Sequence, residues 1–113
     1  MVKKKNEISK IFEEGKVYYT KDLKLYVLKN NVGHLRYVGC VSKKYGKSHE
    51  RNRYRRLIRE SMRKIIKKSH IRNLEYDVAI LPKSDCFKDK NYKNKESKDQ
   101  LEKFFLYLVR MSQ

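Results

Sequence analysis

Arg51-Asn52-Arg53-Tyr54-Arg55-Arg56-Leu57-Ile58-Arg59-Glu60 is the stretch on which the reading of this chain turns. Wound as a helix at about 100° per residue, it and the residues after it divide into two faces. Tyr54, Leu57, Ile58, Met62 and Ile65 fall on one side. Asn52, Arg56, Arg59 and Arg63 fall roughly opposite, with Arg53 and Arg55 at the margins. The first face suits a core; the second presents guanidinium forks and one amide. A helix needing only solubility has no use for Asn among its arginines, because Asn is a weak helix former.

Outward from this helix the pattern changes period. Gly46 to Ser48 breaks the chain and offers a cap, and Glu50 suits the positive end of the helix dipole. The helix is expected to reach Lys68. Before it, Leu35 to Ser42 alternates as a strand, with Leu35, Tyr37, Gly39 and Val41 on one face and Arg36, Val38, Cys40 and Ser42 on the other. Asn30-Asn31-Val32-Gly33 reads as a turn and a candidate hairpin. Leu23 to Leu28 is a clearer strand, Leu23, Leu25 and Val27 opposing Lys24, Tyr26 and Leu28, and Val17 to Thr20 is β-prone. Asn6 is expected to cap a first helix carrying Ile8, Ile11 and Phe12, closed by Gly15.

Downstream, Tyr76 to Leu81 is an apolar run before the only proline, Pro82, and reads as a buried strand. Asp85 to Lys95 is polar and is expected to be an exposed loop. Ser97 and Gln100 have capping-box spacing, ahead of a last helix with the stripe Leu101, Phe104, Phe105, Leu108 and Met111. The order α-β-β-β-α-β-α makes one α+β domain over residues 1–113, with the long helix as a crossover in a mixed sheet. The general rule makes such a crossover right-handed.

Charge narrows the function. The chain of 113 residues carries 30 Lys+Arg against 13 Asp+Glu, a formal net charge of +17, an excess usually retained because a polyanion neutralises it. Cys40 and Cys86 have neither zinc-site nor dense disulfide spacing, and Cys40 reads as a small core residue. Met1 to Lys10 is basic without a following apolar run, so no export signal is expected. No stretch reaches membrane-spanning length, and the expected location is the cytoplasm. His34, His49 and His70 are scattered, and no acidic spacing suits Mg²⁺, so neither a catalytic nor a metal-ligating residue is expected in this chain. Lys43, Lys44, Lys47, Arg51, Arg53, Arg55, Arg56, Arg59, Arg63, Lys64, Lys67 and Lys68 instead concentrate charge within one strand end and one helix, where the arginines supply bidentate phosphate donors. Tyr26 beside Lys24 on a sheet face offers a stacking platform for unpaired bases; pattern alone leaves it half-buried under a helix and puts Phe12 in the core.

These residues resemble a known family. Val41-Ser42-Lys43-Lys44-Tyr45-Gly46, followed by Arg51-Asn52-Arg53-Tyr54-Arg55-Arg56-Leu57-Ile58-Arg59-Glu60, is similar to the S-K-K-x-G and R-N-R-x-K-R-L-x-R-E blocks of the bacterial ribonuclease P protein subunit. Ile11-Phe12-Glu13-Glu14-Gly15-Lys16, Leu25-Tyr26-Val27-Leu28 and Tyr76-Asp77-Val78-Ala79-Ile80 support the match, which weakens after Pro82. The resemblance implies a four-stranded mixed sheet with a left-handed crossover, against the general rule. It implies a subunit that partners a large catalytic RNA and contacts the 5′ leader of precursor tRNA, while Mg²⁺ ions held mainly by the RNA hydrolyse the phosphodiester. No organic cofactor, membrane or obligate protein partner is implied. Arg51, Asn52, Arg53, Arg55, Arg56 and Arg59 would line the RNA-contacting helix, and Phe12 and Tyr26 the leader cleft. Arg55 stands where the family usually has Lys, Ile8 where Phe is frequent and Ser48 where Ala is common. A ribosomal-protein-like module fits the composition equally and is separated by the R-N-R spacing; a duplex-DNA binder would need base-reading residues that the helix lacks.

Overall fold

The alternation of Leu23, Leu25 and Val27 becomes one fully buried face of a strand. In the computed structural model, which describes residues 4–112, the elements run α1 (Lys5–Glu14), β1 (Lys16–Tyr19), β2 (Leu23–Lys29), β3 (Arg36–Gly39), α2 (Ser48–Ile65), α3 (Ser69–Arg72), β4 (Tyr76–Pro82) and α4 (Asn94–Met111). Short 3₁₀ turns occupy Lys43–Tyr45 and Asp85–Lys88. The first three residues of the Met1–Lys10 stretch, and Gln113 at the end of the 1–113 reading, lie outside the described residues.

The sheet order is β1-β2-β4-β3. Strands β1–β2 and β2–β4 pair antiparallel, and β3–β4 pair parallel, so α2 is the helix of a crossover. No hairpin forms across Asn30–Gly33, because β4 enters between β2 and β3. Val78, Ala79 and Ile80 are buried on both faces, which suits a central strand. The turn itself is present, with Gly33 at φ 84°.

The sheet's two faces are covered unequally. On one, Leu23, Leu25, Val27, Val78 and Ile80 meet Tyr54, Leu57, Ile58, Met62 and Ile65 of α2 and Leu101, Phe104, Phe105 and Leu108 of α4. Each fully buried aliphatic side chain there contributes roughly 1.5–3 kcal/mol. On the other, Ile11 of α1 sits on Ala79, ringed by the half-buried Ile8, Phe12, Tyr26, Leu28, Val38, Cys40 and Leu81. Gly15 closes α1 by close approach: a Cβ there would lie 2.4 Å from the Ile11 carbonyl oxygen.

Several boundaries differ from the sequence reading for identifiable reasons. Asn6 lies inside α1, which starts at Lys5 without a side-chain cap, and its Oδ1 accepts from the Glu7 amide. Helix α2 stops at Ile65 instead of Lys68, and the turn into α3 returns Ile71 and Leu74 to the core. Helix α4 starts at Asn94, so Ser97 is no cap; it is buried, with its hydroxyl 2.8 Å from that of Ser61 on α2. Gln100 instead accepts from the Thr20 hydroxyl and the Asp22 amide and donates to the Asp22 carboxylate. Met111 leaves the stripe and is 63% exposed. The 85–95 segment is exposed over most of its length, as at Asp85, Asp89, Lys90, Asn91 and Lys93, but Phe87 and Tyr92 are buried and pin it to the core. Among the described residues no helix is long and apolar enough to cross a membrane.

Arg36 ties α1 to the sheet, donating to both carboxylate oxygens of Asp77 at 2.8 and 2.6 Å and to Glu7 at 3.0 Å. Burial alone would raise the Asp77 carboxyl; Arg36, the Asn30 amide and His34 outweigh it and hold the group below the usual carboxylate range. A folded-state value below the unfolded one adds stability that is full above ~pH 5 and lost as pH falls through the acid range. Urea unfolding across that range should therefore show stability declining on acidification, and Asp77→Asn should flatten part of the decline. At neutral pH Asp77→Ala should cost about 2–4 kcal/mol, because Arg36 loses its main partner in a largely buried setting.

Candidate nucleic-acid interface

Helix α2 turns its charged face outward as its periodicity requires. Asn52, Arg55, Arg56, Arg59 and Arg63 are exposed, as are Lys43 and Lys44 on the turn that precedes the helix. That turn is fixed by the Ser42 hydroxyl, which accepts from the Lys44 amide at 3.1 Å. The helix cap falls on Lys47, one residue before Ser48, and Glu50 reaches back to accept from the Lys47 amide at 2.9 Å. Gly46 makes room for it: a Cβ there would meet the Glu50 carboxylate at 2.6 Å.

The arginines take three different roles. Arg56, Arg59 and Arg63 form no ion pair among the described residues and leave their forks to solvent. Arg55 donates to the Asn52 amide oxygen at 3.3 Å, one turn away, which explains the asparagine among the arginines as a positioning partner. Arg51 and Arg53 turn inward. Arg51 donates to the Gly46 carbonyl and the Ser48 hydroxyl, bracing the entry to the helix. Arg53 donates from Nε to the Phe87 carbonyl, and from Nη2 to the carbonyls of Asp89, Lys90 and Tyr92, at 2.9 to 3.2 Å. One side chain thus gathers the backbone of the 87–92 segment, a role that the helical wheel placed only at the margin of the basic face.

The second surface is the half-covered side of the sheet. Phe12 of α1 meets Tyr26 of β2 edge to face, ring centroids 4.8 Å apart, and both rings are half-buried. Lys24 lies two residues along on the same face, its ammonium 5.0 Å from the Tyr26 ring centre. The Tyr26 hydroxyl is the chief reason the Lys24 ammonium is held above its ordinary value. Cys40 lines the same face; burial pushes its thiol up, and Arg55 is near enough to oppose that. The register also brings Tyr19 opposite Lys24, although strand patterning alone could not separate Tyr19 from ordinary sheet packing. Among the described residues no three His, Cys, Asp or Glu side chains group to hold a metal ion.

The sequence and the fold have counterparts among known proteins. A family model described as Ribonuclease P matches residues 1–109. The ribonuclease P protein component of Clostridium botulinum (strain 657 / Type Ba4) is 40% identical over 96 residues, covering 85% of this chain and 84% of that protein. Among solved structures, the RNase P protein from Thermotoga maritima superposes with a TM-score of 0.77 at 20% identity, over 92% of this chain and 93% of that one, a likeness of fold. The Staphylococcus aureus RNase P protein has a TM-score of 0.71 at 27% identity, over 96% and 93% of the two chains.

The split among the arginines is open to test. Arg53→Ala should release the 87–92 segment, raising its amide exchange and costing about 1–3 kcal/mol, since charge-assisted bonds to four carbonyls are lost. Arg53→Lys should recover only part, because a point-charge ammonium cannot fork. Arg59→Ala should change stability by no more than about 0.5 kcal/mol. Equal destabilisation by Arg53→Ala and Arg59→Ala would contradict the assignment.

Proposed function

The chain belongs to the ribonuclease P protein component family, whose members act with an RNA subunit in 5′ processing of tRNA, and from that premise we propose how its two surfaces divide the work. The α2 face of Asn52, Arg55, Arg56, Arg59 and Arg63, with Lys43 and Lys44, docks the catalytic RNA through its phosphates. Arg51 and Arg53 shape that face from within. The cleft of Phe12 and Tyr26 holds the unpaired 5′ leader of precursor tRNA. The observation that carries this reading is the pairing of two different chemistries on one small chain: arginine forks without carboxylate partners among the described residues on one element, and half-exposed rings beside an ammonium on another.

The chemistry follows from charge. Both surfaces are lined by cations, which repel Mg²⁺ instead of ligating it, so the hydrolysing ions belong on the RNA and the protein's contribution is binding. Neutralising phosphates draws leader and RNA subunit together and reduces the Mg²⁺ needed to hold the holoenzyme in its active form. A base entering the cleft stacks on Tyr26 and moves the Lys24 ammonium from the ring toward a phosphate. The family match and the R-N-R spacing weigh against a ribosomal-protein module, and the cytoplasm is where such a subunit would act.

Adding the protein to its cognate RNA should allow leader removal at Mg²⁺ concentrations too low for the RNA alone; no gain in processing would sink the proposal. Tyr26→Ala should weaken holoenzyme binding to precursor tRNA by about 1–3 kcal/mol and leave mature tRNA binding nearly unchanged. Equal losses for both ligands would take Tyr26 out of the leader cleft.

A further inference from the structure

Tyr19 is 61% exposed at the end of the edge strand β1, a large ring on the half-covered side of the sheet. The register puts it directly opposite Lys24, which in turn pairs with Leu81 of β4. Side chains alternate along a strand, so Tyr19, Lys24 and Tyr26 share the face that carries the leader cleft. Two ammonium groups approach the Tyr19 ring: Lys24 at 5.9 Å and Lys83 at 5.5 Å from its centre. Lys83 is held there by its backbone amide, which donates to the Asp22 carbonyl at 2.8 Å, and its Nζ donates to the Thr20 carbonyl at 3.3 Å. Neither lysine pairs with a carboxylate among the described residues, because the nearby Asp22 is buried and bonded to Tyr92 and Gln100. Two like charges are thus gathered at one exposed ring with no carboxylate among the described residues to neutralise them, which is the arrangement that a phosphate beside a stacked base would relieve.

Lys24 links this ring to the cleft, for its ammonium also lies 5.0 Å from the Tyr26 centroid. The two rings are therefore close enough for one strand of RNA to engage both. The order β1-β2-β4-β3 sets Tyr19 at the opposite edge from β3, the strand that leads into the arginine helix. A leader leaving the catalytic RNA and crossing Tyr26 reaches Tyr19 afterward.

We propose that Tyr19, bracketed by Lys24 and Lys83, is a second stacking position for the 5′ leader, engaged only by leaders long enough to cross the sheet to its β1 edge. This rests on the reading of the Phe12–Tyr26 cleft as the leader site. It assigns the chain a leader-length dependence: affinity gained in two stages, the first at Tyr26 and the second at Tyr19.

The test measures binding of the reconstituted holoenzyme to precursor tRNAs whose leaders are graded from a single nucleotide upward, with mature tRNA as the reference. Tyr19→Ala should weaken binding on the order of 5- to 30-fold for the longer leaders only, and Tyr19→Phe should retain the wild-type affinity because the ring face is kept. Lys83→Ala should lower the salt dependence for long leaders by about 0.7 in the log–log slope, one single-strand phosphate contact. A loss that is equal at every length, or no loss at any length, would overturn the inference. If Tyr26→Ala remains selective for precursor while Tyr19→Ala does nothing, the second position falls and the cleft reading stands. If Tyr26→Ala shows no selectivity either, both fall together.

Discussion

The rotational setting of α2 is held by its buried stripe of Tyr54, Leu57, Ile58, Met62 and Ile65, in which Tyr54 alone also hydrogen-bonds the sheet. It has no exposed surface, its hydroxyl donates to the Ile80 carbonyl of β4, and its ring meets Phe87 edge to face at 5.0 Å. The same carbonyl accepts the Cys40 amide at the end of the β3–β4 ladder, so helix and sheet are joined where the crossover leaves the sheet. Burial keeps the phenol well above its ordinary pKa, and it stays a neutral donor. With residue 54 fixed inward, a period of 100° per residue leaves Asn52, Arg56, Arg59 and Arg63 no direction but outward. Turning the helix by one residue would bury a guanidinium, at several kcal/mol for each unpaired charge.

From that anchor the polar surfaces follow. Phe87 continues to Tyr92, their rings 4.8 Å apart, and Arg53 binds the carbonyls between them. Tyr92 donates to the buried Asp22, which also receives the Gln100 amide. The basic helix, the 87–92 segment, the β1–β2 turn and α4 are thus one connected structure. On the other side of the sheet only α1 is seated, clamped by Glu7–Arg36–Asp77. What it leaves uncovered is the aromatic cleft. A core on both sides of the sheet, with one side only half covered, explains how a chain this small can present two chemically different surfaces, an arginine face and an aromatic cleft.

Much of this was legible in the sequence where periodicity speaks alone. The two faces of α2, the alternation of β2, the central run of β4 and the Gly15 stop all appear as read, while the strand expected over Leu35 to Ser42 is confined to Arg36–Gly39. The misses share a physical cause, long-range partners. Asn30–Gly33 looks like a hairpin because nothing local announces that β4 will insert beside β2. Ser97 and Gln100 have cap spacing but are claimed by Ser61, Thr20 and Asp22, residues far away in the chain. The 85–95 segment is polar by composition and ordered by Arg53. Within the site, a helical wheel separates outward from inward arginines but cannot show that Arg53 and Arg51 are occupied by carbonyls. Likewise Tyr19 gains meaning only from the register that sets it across from Lys24.

The division of labour between the two surfaces is tested most directly by where each one touches RNA. A photoreactive side chain placed at position 26 or at position 56 of the holoenzyme, with precursor tRNA bound, can be mapped to the nucleotides it captures. Capture of leader nucleotides from position 26 and of the RNA subunit from position 56 is the result this account predicts. Capture of the RNA subunit from position 26, or of the leader from position 56, would contradict it.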